Sequence, residues 1–120
     1  MAKYLILIYG DEGRWESMSP QERGEIDAGH ATFRQLAGTA VLASGELEAA
    51  RTARSLRAGP GGKPTITDGP FLEGKEVVGG FYVIEAANHD EAASLAGVLA
   101  EVRHDHSGVQ IHPLVEHGTT

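Results

Sequence analysis

Lys3-Tyr4-Leu5-Ile6-Leu7-Ile8-Tyr9, closed by Gly10-Asp11-Glu12-Gly13, is the stretch from which the architecture can be worked out. It is rich in β-branched and aromatic residues, too short for a typical helix and bounded by turn residues, so it reads as a strand followed by a loop. Extended, it points Tyr4, Ile6 and Ile8 to one side and Leu5, Leu7 and Tyr9 to the other. Residues 77–86 form a second strand with the same habit, Phe81 and Val83 opposing Tyr82 and Ile84. Both faces of a sheet built from these strands call for burial.

Outward from the first strand, Ser19-Pro20-Gln21-Glu22 is a capping box with proline at the first helical position, opening a helix that runs to about Gly38. Ile26, His30, Phe33, Ala37 and Ala40 step by three and four, which places His30 on the inward stripe. Residues 41–44 form a short strand. Residues 52–56 and 63–67 form a hairpin about Gly59-Pro60-Gly61-Gly62. Asn88, with Glu91 three positions on, caps a second helix whose stripe is Ala92, Leu95, Ala96, Leu99 and Val102. Residues 109–115 make a last strand, which Pro113 confines to an edge or a strand end. Crossovers between strands of one sheet are right-handed, so both helices fall on one face and the fold class is a ferredoxin-like α+β sandwich. Two helices cover only one face, and the expectation is a homodimer with the second sheet face against its copy.

A chain of 120 residues suits one domain over residues 1–120. The absence of cysteine excludes disulfides, thiolate metal centres and cysteine nucleophiles, and fits a cytoplasmic setting. A net charge of −7 offers no basic face for nucleic acid. No apolar run approaches the roughly 20 residues that span a bilayer, so no membrane association is expected.

The most distinctive run is Thr67-Asp68-Gly69-Pro70-Phe71-Leu72-Glu73-Gly74-Lys75-Glu76, leading through Gly79-Gly80 into Phe81-Tyr82-Val83-Ile84. It resembles the YCII-related family in its DGPF branch, with Gly74 where that branch usually has Thr. The likeness extends to Tyr9-Gly10-Asp11-Glu12, to residues 19–23, to His30 and to residues 109–114, and so to nearly the whole chain. His112 stands where the branch often has Arg. The resemblance implies a dimeric α+β barrel and an active site pairing a His with an Asp; by position these are His30 and Asp68, with Glu73, Lys75 and Glu76 as the motif's polar tail.

Imidazole changes charge near neutral pH, and a neighbouring carboxylate can fix its tautomer and raise its basicity, which suits a general base. His30 and Asp68 are therefore the candidate catalytic pair, with Phe71, Glu73, Lys75 and Glu76 as candidate substrate-binding residues. The plainer alternatives are a core-filling histidine, an architectural Asp-Gly-Pro turn and a solvated charged loop. His104-Asp105-His106 invites a metal reading, but with no third ligand evident the expectation is solvated surface, no metal and no cofactor. Trp15 can cover a pocket mouth, a dimer seam or the core.

The chain offers acid–base groups without an obvious nucleophile or cofactor motif. The functional expectation is an enzyme for proton abstraction, isomerisation or elimination on a small polar or ring-bearing molecule. The rival expectation is a non-catalytic dimeric ligand-binding or transcription-associated module.

Overall fold

The computed structural model describes residues 1–117. In chain order its elements are β1 (Ala2–Asp11), α1 (Glu12–Glu16), α2 (Pro20–Ala37), β2 (Val41–Glu46), β3 (Arg54–Ala58), β4 (Pro64–Asp68), β5 (Glu76–Ala86), α3 (His89–Ala96) and β6 (Ser107–Pro113). The main sheet runs β2-β5-β1-β6, antiparallel at each pairing, and β3 with β4 forms a separate two-stranded ribbon. This is the ferredoxin-like α+β order with a hairpin inserted after β2. No helix among the described residues is long and apolar enough to cross a membrane.

The alternation in β1 and β5 sets the layers. Tyr4, Ile6, Ile8, Tyr82 and Ile84 are buried beneath the helices, while Leu5, Leu7, Phe81 and Val83 on the opposite face are only half-buried. Phe33, Ile6, Ile84 and Leu99 are fully enclosed, each contributing about 1.5–3 kcal/mol by leaving water. One sheet and one helical layer make a slab with extents of 50 × 44 × 19 Å.

Two elements differ from the sequence reading. The expected loop after β1 is the short helix α1, because the Asp11 carboxylate accepts from the Gly13 and Arg14 amides at 3.0 and 3.3 Å and caps it. The second helix stops at Ala96 and does not reach Val102: Gly97 caps it, Leu99 is extended, and a 3₁₀ turn follows over Ala100–Arg103. That interruption turns Glu101 inward (4% exposed) and Val102 outward (45% exposed).

The 3₁₀ turn sits against α2 at Gly29, where a Cβ would lie 2.8 Å from the Ala100 amide nitrogen, whereas a Cβ at Gly24 would meet nothing within 4 Å. Gly29→Ala is expected to destabilise by about 1–3 kcal/mol despite alanine's better helix propensity, because backbone must shift. Gly24→Ala, on the same helix, is expected to stabilise by about 0.5–1 kcal/mol. Urea unfolding midpoints of the two variants, read side by side, check this pair of opposite signs.

Candidate functional site

Helix α2 brings Arg23, Ile26, Asp27, His30 and Arg34 onto one face, at spacings of three and four, where they line a cleft of about 530 Å³. Its far side is Ile8, the Gly79–Gly80 stretch and Tyr82 of the sheet, and the residues around Gly45 at the end of β2. Trp15 forms one wall. Its indole packs against Gly10 and Gly79, where any Cβ would collide with the ring, and its Nε1–H donates to Ser107 Oγ at 2.9 Å. Glu12 closes another edge, its carboxylate accepting from the Ala50 amide at 2.8 Å.

Inside the cleft three side chains form a chain of short hydrogen bonds. Tyr82 Oη lies 2.6 Å from His30 Nδ1, and His30 Nε2 lies 2.7 Å from Glu101 Oε2. Arg34 donates to the Tyr82 oxygen at 3.4 Å. One proton arrangement satisfies all three contacts with a neutral imidazole: Arg34 donates to Tyr82, the Tyr82 hydroxyl donates to Nδ1, and Nε2–H donates to the Glu101 carboxylate. Burial, only partly offset by the Arg34 charge and hydrogen bond, pushes the Tyr82 phenol above its ordinary value, so it is a hydroxyl at neutral pH. Its ring packs on Phe33 at 4.4 Å between centroids.

Glu101 is the residue that sequence reasoning missed. Its side chain is 6% exposed, and its second oxygen, Oε1, is buried with no donor among the described residues. A carboxylate following the buried Leu99 and Ala100 was the available signal, obscured by the assumption of a continuous helical period.

The expected pairing of His30 with Asp68 is replaced by His30 with Glu101. Asp68 ends β4 with its side chain 93% exposed, 3.7 Å from Arg54 Nε, and does not line the cleft. The cause is local: Gly69, at φ +93°, donates from its amide to Ala53 O and accepts at its carbonyl from Ser55 Oγ, both at 2.7 Å. The Asp-Gly-Pro turn thus closes the base of the ribbon. Phe71 is exposed, with the Arg57 guanidinium 4.3 Å above its ring; Glu73 and Lys75 are exposed in the loop before β5, and Glu76 is exposed at its first position. None of these four lines the cleft that holds His30.

His104 and His106 also depart from the expected solvated surface. Their side chains are 15% and 2% exposed, and the carboxylate of Glu22 lies within 4 Å of both.

Removing the His30 ring leaves a buried carboxylate without its partner. His30→Ala is therefore expected to cost about 3–5 kcal/mol of stability, and at least about 1 kcal/mol less in a Glu101→Gln background, because a neutral amide tolerates burial better than a charge. Denaturant unfolding of the four proteins in the double-mutant cycle measures the difference.

Residues 2–115 match the YCII-related domain. An uncharacterized protein of Rhizobium meliloti (strain 1021) is 29% identical over 112 residues, spanning 92% of this chain and 90% of its own length. Among solved structures, the 5-chloro-2-hydroxyhydroquinone dehydrochlorinase of Burkholderia phenoliruptrix AC1100, in complex with 2,5-dihydroxybenzoquinone, aligns with a TM-score of 0.54 at 19% identity. The alignment covers 97% of this chain and 95% of that one, and it speaks for a shared fold.

Proposed function

From the chain's membership of the YCII-related family, within which the Asp68–Phe71 run suggests the DGPF branch, we propose an enzyme that moves protons on a small ring-bearing substrate. The observation that carries this reading is the Tyr82–His30–Glu101 chain of hydrogen bonds opening onto a cleft. An acidic proton next to a carbonyl, or on a ring hydroxyl, passes to Tyr82 Oη as the phenolic proton passes to His30 Nδ1. The electron pair left on the substrate forms an enolate, which isomerises on reprotonation or expels a leaving group at the adjacent carbon. His30 stores the proton as imidazolium, and Glu101 acts as a positioning residue that holds the ring and balances its charge. Arg34, beside the Tyr82 oxygen, stabilises the developing oxyanion. The Burkholderia enzyme's name, a dehydrochlorinase, describes an elimination of this type, and its bound quinone is a ring of suitable size.

The test uses tag-free protein and a panel of halogenated hydroxyhydroquinones, reading halide release together with hydrogen exchange into deuterium oxide. Tyr82→Phe keeps the ring against Phe33 and removes only the hydroxyl. It is expected to lower kcat by about 100-fold or more with the unfolding midpoint nearly unchanged. Turnover at the wild-type rate in both Tyr82→Phe and His30→Gln would contradict the reading.

The same slab geometry supports a homodimer. Leu5, Leu7, Phe81 and Val83 present a continuous half-buried apolar face, and the ribbon exposes Leu56 and Ile66, paired across its two strands and 53% and 61% exposed. A second copy laid sheet against sheet covers this area. Sedimentation equilibrium is expected to give twice the 12.7 kDa chain mass, and Leu7→Asp is expected to give the monomer; a monomeric parent protein would contradict the arrangement.

A further inference from the structure

Outside the cleft, the capping box of α2 meets the turn that precedes β6. Glu22 uses one oxygen, Oε1, to accept from the Ser19 amide at 3.4 Å, as the capping box requires. Its other oxygen, Oε2, points away from the helix, 3.8 Å from His104 Nδ1 and 3.7 Å from His106 Nε2. These separations are too long for hydrogen bonds. They are close to the spacing of donors around a shared ion, since two ligands each ~2.0–2.1 Å from a tetrahedral metal are ~3.4 Å apart, and the three ligand atoms all lie within 4.8 Å of one another.

Two further observations point to a ligand. His106 is 2% exposed, and its Nε2, facing Glu22, is buried with no hydrogen-bond partner among the described residues. Behind the His106 ring stands a polar group able to hold the tautomer that a metal needs. His106 Nδ1 lies 2.7 Å from Ser107 Oγ, which also accepts the Trp15 indole N–H, while His104 Nε2, 3.9 Å from Glu25 Oε2, is buried without a hydrogen-bond partner among the described residues. The two rings stack 5.2 Å apart at 22°.

We propose that Glu22, His104 and His106 bind a first-row divalent cation, with zinc the best match to two imidazoles, one carboxylate and a water in the fourth position. The ion staples the first turn of α2 to the turn before β6. Through Ser107 and Trp15 it also steadies one wall of the cleft.

The experiment is a cobalt(II) titration of tag-free, chelator-treated protein followed by visible absorption, with zinc as displacing ion and thermal unfolding as a second readout. The wild type is expected to take up one equivalent of cobalt with four-coordinate d–d bands, to release it to one equivalent of zinc, and to melt at a higher temperature when zinc-loaded. His104→Gln, His106→Gln and Glu22→Gln should each weaken uptake by about 10–100-fold. Glu22→Gln keeps a side chain able to complete the capping box, so its fold is preserved even if His106→Gln disturbs packing. His112→Gln, on the exposed edge of β6, should bind as the parent does. Absence of stoichiometric uptake, or uptake unchanged in Glu22→Gln and His104→Gln, would overturn the proposal.

Discussion

A carboxylate withdrawn from water must be held by something, and in this protein the Glu101 carboxylate is held by the His30 ring at 2.7 Å. An isolated buried charge is costly, and several features of the fold serve to bring these two groups together. Helix α3 stops at Ala96, the chain extends through Leu99, and the 3₁₀ turn presses its backbone onto Gly29, one residue before His30. A larger residue at position 29 would push the turn away, and the carboxylate with it.

The same contact orders the cleft. With Nε2 committed to Glu101, Nδ1 turns toward the Tyr82 hydroxyl, and Tyr82 is fixed by β5 on one side and Phe33 on the other. Arg34, one helical turn beyond His30, reaches the same oxygen. The polar line therefore runs from a deeply buried anion to a phenol at the cleft wall, with an imidazole between them that can hold a proton from either side. The apolar sheet behind it keeps water from the inner end, which strengthens each charge interaction along the line.

Much of this was legible in the residue order. The two-sided alternation of β1 and β5, the capping box at Ser19 and the stripe through His30 lead to the ferredoxin-like layers, and the Gly-rich turn marks the ribbon. The partner of His30 was not legible, for a physical reason: a three- to four-residue helical period extended past Gly97 puts Val102 inside, whereas the extended Leu99 resets the phase and puts Glu101 there. Asp68 opens a distinctive motif, yet turn chemistry at Gly69 accounts for its exposed position beside Arg54. The local pattern of Glu22 is that of a cap; that its second oxygen faces two histidines about 80 residues away is a tertiary fact that no local pattern carries. Asp11 is of a residue type that caps helices, but its Gly-rich surroundings hide the short helix that it caps.

The central claim, that His30 is held between a buried carboxylate and a phenol, is tested most directly by long-range ¹⁵N–¹H correlation spectra of imidazole-labelled protein near neutral pH. The account predicts that neutral His30 carries its proton on Nε2, in a slowly exchanging N–H that is lost in Glu101→Gln and shifted in Tyr82→Phe. A His30 signal that exchanges rapidly, averages between tautomers like free imidazole and ignores both substitutions would contradict it.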